Sequence, residues 1–159
     1  GMGGVGKTTL AKLVFEKYSY QYEGSCFLEN VRERSEKYGH ALHELRSELY
    51  SELLQENNCK DSTRISTNAK ERLRSQRNFI VLDDVSCSKQ LKYLVGEHQC
   101  YGPGSKIIVT ATDKSVFAQW EDEEIYEMKV LNSKDSLTLF SLMHSNKTIR
   151  KWDMKSYHG

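Results

Sequence analysis

Residues 1–12 read GMGGVGKTTLAK. Gly1 to Thr8 match G-x-x-x-x-G-K-[ST] at every fixed position, the pattern of a loop that runs from a strand into a helix and wraps a polyphosphate. Gly1 and Gly6 permit backbone angles closed to other residues, and Gly3 and Gly4 let main-chain N–H groups approach a ligand with no Cβ in the way. With Met2 and Val5 between them, these residues form a ring of donors. The spacing of Leu10, Leu13 and Val14 predicts a helix from about Lys7, whose positive end favours anionic oxygens. The Lys7 ammonium is a charge-assisted donor to phosphate, and the Thr8 hydroxyl, followed by Thr9, is a ligand for Mg2+. The bland alternative is a glycine-rich turn capping a helix. Because such a loop normally follows a buried strand, one is expected upstream of Gly1, and the sequence is expected to be a piece of a longer protein.

Outward from the loop, residues 79–85 read FIVLDDV, an unbroken apolar run of the kind buried on both faces of a parallel sheet. It ends in Asp83, placed to hold magnesium, and Asp84, placed to polarise a water. Adjacent acids also end strands in solvated turns, so it is the pairing with the loop that favours a nucleotide site. A second such run, KIIVTAT at 106–112, ends in small polar residues. Thr110 and Thr112 are expected beside a γ-phosphate if this strand neighbours the acidic one, and ordinary strand filling is the equal alternative.

CFLENV (26–31) and EIYEMKVL (124–131) read as further strands. HALHELRSELYSELLQEN (40–57) carries Leu42, Leu45, Leu49 and Leu53 on one stripe and reads as a surface helix. NNCKDSTRIST (57–67) is a polar loop, NAKERLRSQRN (68–78) a short basic helix, and NSKDSLTLFSLMH (132–144) a helix capped near Asn132 or Ser133. Helices alternate with strands, which predicts an α/β, doubly wound parallel sheet. The expected division is a nucleotide-binding domain at 1–131, with its first strand missing, and the start of a helical subdomain at 132–159.

The chain of 159 residues is 38% hydrophobic and 28% charged with a formal net charge of +1, ordinary for a soluble domain. Charges of both signs are mixed along it, which argues against nucleic acid as a partner, and no run approaches the roughly 20 apolar residues of a membrane span. Cys26, Cys59, Cys87 and Cys100 form no C-x-x-C pair, and only His40 and His43 share a helical face, so neither a zinc site nor a redox dithiol is expected.

In this order, the pieces resemble the nucleotide-binding NB-ARC domain of plant disease-resistance proteins, members of the STAND class of P-loop NTPases. The blocks that carry the likeness are GMGGVGKTTLAK, the stretch FLENVRERSEKYGHALHELRSELYSELL, FIVLDDVS, GPGSKIIVTATDK and IYEMKVLNSKDSLTLFS. FLENVRE, with Ser86 where the coiled-coil subclass carries tryptophan, resembles the subclass with an N-terminal TIR domain. The resemblance implies a cytoplasmic immune-receptor module that holds ADP at rest and ATP when active, with at most slow hydrolysis. It implies intramolecular TIR and leucine-rich repeat partners, and leaves oligomerisation on activation open. It also places the missing first strand between KIIVTAT and EIYEM, which would leave two sheet edges unpaired.

Two departures stand out. The family's sensor motif T-T-R-D is here TATD, with Ala111 and Thr112 in the second and third places. A threonine offers no charged fork to phosphate, so weaker discrimination between ATP and ADP is expected. The tail MHSNKTIRKWDMKSYHG stops before the family's later motifs, so Met143 and His144 are not taken for them. A conventional P-loop ATPase or small-molecule kinase, and an inactive gene fragment, are the competing readings.

Overall fold

The computed structural model describes residues 3–55, 67–95, 101–111, 114–117, 125–129 and 149–155. In chain order these form α1 (Gly3–Tyr18), a 3-10 turn (Ser19–Gln21), β1 (Gly24–Leu28), α2 (Val31–Glu36), α3 (Ala41–Leu54) and α4 (Thr67–Ser75). Then come β2 (Asn78–Leu82), α5 (Ser88–Val95), β3 (Lys106–Thr110), a 3-10 turn (Lys114–Phe117), β4 (Ile125–Lys129) and β5 (Ile149–Lys155).

The five strands make one sheet in the order β1-β2-β3-β5-β4, and every neighbouring pair is parallel. Side chains alternate across a strand, so each strand divides its residues between two faces. Cys26, Leu28, Ile80, Leu82, Ile107 and Val109 pack on one face with Leu45, Leu49 and Leu53 of α3, Leu73 of α4, and Leu91 and Leu94 of α5. Phe79, Val81 and Ile108 pack on the other with Leu10, Ala11 and Val14 of α1. Helices therefore cover both faces, as the run-on apolar strands require. Each fully buried leucine or isoleucine contributes about 1.5–3 kcal/mol. Cys26 is part of this core, and burial pushes its thiol up. No helix among the described residues is long and apolar enough to cross a membrane.

The Leu45, Leu49 and Leu53 stripe is buried as its spacing predicts, while Leu42 is only partly covered. Three expectations are corrected. Helix α1 starts at Gly3 rather than Lys7, because glycine accepts helical angles as well as loop angles and the helix runs back through Gly3, Gly4 and Gly6. Strand β1 stops at Leu28, not at Val31, because Asn30 takes a left-handed backbone (φ 54°) and turns the chain into α2. The position between β3 and β4, expected to lack a strand, holds β5, whose parallel ladder to each neighbour pairs both edges. The helix expected at 132–144 lies outside the described residues, as does the polar loop at 57–67 apart from Thr67.

At the amino-terminal edge of the sheet, a closed polar network ties the elements together. The Asn78 Nδ2 group donates to the carbonyls of Leu73 (3.1 Å) and Gln76 (3.0 Å), and its Oδ1 accepts from Gln76 Nε2 at 2.7 Å. Gln76 Nε2 also reaches the Leu53 carbonyl (2.9 Å), and the Asn78 N–H donates to Ser105 Oγ (2.9 Å). The packing here requires Gly24, since a Cβ would sit 2.5 Å from both Gln76 Nε2 and the Leu53 carbonyl. The opposite, carboxyl-terminal edge is where open parallel sheets bind ligands.

Candidate functional site

The register sets Leu28 beside Leu82 and Leu82 beside Val109, so the residues leaving β1, β2 and β3 emerge together at the carboxyl edge. The chain does not splay apart there. The Asp83 N–H donates to the Leu28 carbonyl (2.8 Å), the Val31 N–H to the Asp83 carbonyl (2.9 Å), and the Val85 N–H to the Thr110 carbonyl (3.0 Å). Asp84 then turns the chain through a left-handed conformation (φ 58°), which aspartate tolerates better than most residues.

Asp83 is 1% exposed. Its two carboxylate oxygens are held by hydroxyls from opposite directions: Thr8 Oγ1 donates to Oδ2 at 2.9 Å, and Thr110 Oγ1 donates to Oδ1 at 2.7 Å. The first of these bonds joins residues 75 positions apart and brings the glycine-rich segment to the acidic strand. Among the described residues no cationic side chain forms an ion pair with Asp83. A carboxylate this buried strongly favours a cation nearby. Thr8 uses its proton on Asp83, which leaves its oxygen lone pairs for a hard cation. An all-oxygen set of this kind suits Mg2+, so the residues present fit such an ion.

Thr110 closes β3. Its side chain is buried, and besides bonding Asp83 its hydroxyl accepts the Asp84 N–H at 2.9 Å. One proton and at least one lone pair are thus committed to the two acids. Asp84 is partly exposed, and its Oδ2 lies 3.4 Å from Arg32 Nε. The Arg32 N–H also donates to the Asp84 carbonyl (2.9 Å), so the first turn of α2 holds this acid by backbone and side chain together. Sequence reasoning alone misses Arg32. The available signal is a cation two residues after the asparagine that leads into α2, in a chain with an acidic end to β2.

Gly3, Gly4, Val5 and Gly6 are the first turn of α1, whose N–H groups have no partner within the helix and point towards its amino-terminal end. The amides expected to line a loop thus belong to a helix terminus, a kind of place that favours anions. Thr9 is exposed. Gly1, Met2, Thr112 and the Lys7 side chain lie outside the described residues.

Residues 1–150 match the NB-ARC domain family. The chain is similar to disease resistance protein RPV1 of Vitis rotundifolia, 36% identical over 159 residues that cover 98% of this chain and 11% of that protein. It is also similar to TMV resistance protein N of Nicotiana glutinosa, 38% identical over 88% of this chain and 12% of that protein. Disease resistance protein RRS1 of Arabidopsis thaliana is 39% identical over 92% of this chain and 10% of its own length. The chain thus spans about a tenth of the length of these relatives.

Proposed function

The chain belongs to the NB-ARC family, and from that premise we propose that it is the ADP/ATP-binding switch module of a plant intracellular immune receptor. The observation that carries this reading is the Thr8 to Asp83 hydrogen bond, which unites the glycine-rich segment and the acidic strand end at one sheet edge.

In this reading the amides of Gly1 to Gly6, the Lys7 ammonium and Thr9 bind the nucleotide's phosphates. Charge-assisted bonds of that kind contribute about 1.5–3 kcal/mol each. Thr8 and Asp83 hold Mg2+, which when bound neutralises phosphate charge and fixes the geometry of the terminal groups. Asp84 orients a water. Its carboxylate is already engaged by Arg32, which makes it a restrained base and suits slow turnover over steady catalysis. Thr112, at the third place of TATD where the family's T-T-R-D motif has arginine, is expected to give weak discrimination between ATP and ADP. Cytoplasmic location, TIR and leucine-rich repeat regions elsewhere in the protein, a helical subdomain starting near residue 132, and assembly on activation complete the reading.

Calorimetric titration of the chain with ADP and with ATP, each with and without Mg2+, tests it. Saturable ADP binding, lost in Lys7→Ala, is expected. A folded chain that gives no heat with ADP and Mg2+ removes the proposal. Turnover above about one per second in the presence of a phosphate acceptor would instead indicate a conventional kinase.

A further inference from the structure

Thr110 stands where two functions of the site meet. Its hydroxyl is buried, accepts the Asp84 N–H at 2.9 Å and donates to Asp83 Oδ1 at 2.7 Å. Asp83 Oδ2 is simultaneously held by Thr8 Oγ1 at 2.9 Å. A carboxylate held at both oxygens cannot rotate about its terminal bond without breaking one contact. The O–H···O contact from Thr110 is in the short range of charge-assisted bonds. Removing Thr8 would take away a proposed ligand together with the brace, whereas Thr110 reaches the cation position only through Asp83.

We propose that Thr110 is a positioning residue for cation binding: its hydroxyl fixes the orientation of the Asp83 carboxylate and, through the Asp84 amide, ties the two acids into one rigid unit. This rests on the nucleotide-binding reading above. Outer-shell hydrogen bonds of this type orient ligands, and losing one typically costs about 10–100-fold in metal affinity. The role differs from direct contact with a terminal phosphate, which would make Thr110 matter for ATP more than for ADP. A clamp on Asp83 makes it matter for Mg2+ with either nucleotide.

The experiment compares the chain with Thr110→Val, which keeps the β-branched shape without the hydroxyl, and with Thr110→Ser, which keeps the hydroxyl. ADP binding is titrated calorimetrically at stepped Mg2+ concentrations and again in EDTA. The expected result is a half-saturating Mg2+ concentration raised about tenfold or more in Thr110→Val. Thr110→Ser returns it to the parent value, and ADP affinity in EDTA is the same for all three chains. An unmoved Mg2+ midpoint in Thr110→Val overturns the proposal, and so does an equal loss of ADP affinity in EDTA, which would mark a general disturbance of the fold. Should the valine variant fail to fold because the Asp84 amide loses its acceptor, Thr110→Ala, with room for a water there, takes its place: a raised Mg2+ midpoint supports the proposal and an unmoved one overturns it. Failure of the underlying reading looks different, because the parent chain itself would then give no heat with ADP.

Discussion

The two ends of the sheet are built alike and do opposite things. Each gathers buried polar groups where β2 and β3 meet: Asn78 and Ser105 at the amino edge, Asp83 and Thr110 at the carboxyl edge. At the amino edge the groups are neutral and the bonds close on themselves, with the Asn78 amide using both its donor side and its oxygen on neighbouring groups. At the carboxyl edge an acidic side chain is buried between two hydroxyls. A neutral, saturated network secures strands. A buried acid that two hydroxyls satisfy only in part keeps lone pairs that a cation can take. The same strand thus carries a fastener at its start and a socket at its finish.

The largest expected effect breaks the socket outright. Lys7→Ala should lower ADP affinity by at least tenfold, the equivalent of one lost charge-assisted bond, as read by calorimetry, with the melting temperature unchanged. A mutant that binds as tightly as the parent would place the phosphates elsewhere. Breaking the fastener should do the reverse. Asn78→Ala leaves the Gln76 and Leu73 partners unsatisfied and should reduce unfolding free energy by about 2–3 kcal/mol in a urea melt. ADP affinity of the folded fraction should not move, and a matching loss of affinity would mean the two ends are coupled.

Asp83→Asn sharpens the contrast. It removes the buried charge while keeping the shape, so the melting temperature should stay level or rise by the equivalent of about 1 kcal/mol. Mg2+ should no longer strengthen ADP binding. A clear fall in stability would show that the carboxylate already serves the fold. The smallest effect is expected from Arg32→Gln. Both partners of that ion pair reach solvent, so its loss should cost less than about 1 kcal/mol. ADP affinity should be unchanged while single-turnover hydrolysis quickens as Asp84 is released. An unaltered or slower rate would remove Asp84 from its proposed task.

Much of the socket is legible in residue order, because its parts follow rules that act locally. FIVL (79–82) and IIV (107–109) are apolar without interruption, and a strand covered on both sides is where such runs belong. Leu45, Leu49 and Leu53 repeat at helical spacing, and the pattern survives folding intact. What residue order hides depends on distant partners. Thr110 has two ready explanations, filling a strand or facing a phosphate; it closes β3, and residue order does not show that its hydroxyl is shared with two acids that follow β2. Arg32 meets Asp84 only because Asn30 and Asp84 both turn left-handed at adjoining strand ends. Helix α2 has six residues, too few for a periodic signal. Strand β5 reads IRKWDMK, with four charged residues in seven, where a central parallel strand is ordinarily apolar.

The placement of β5 sets how the sheet can fail. Strand β4 meets the sheet only through β5, and β5 in turn rests on β3. A chain in which residues 149–155 leave their place therefore loses two strands at once and bares the flank of β3. Bare flanks of that sort recruit other chains. One short, heavily charged segment thus stands between this sheet and adhesion to a second copy.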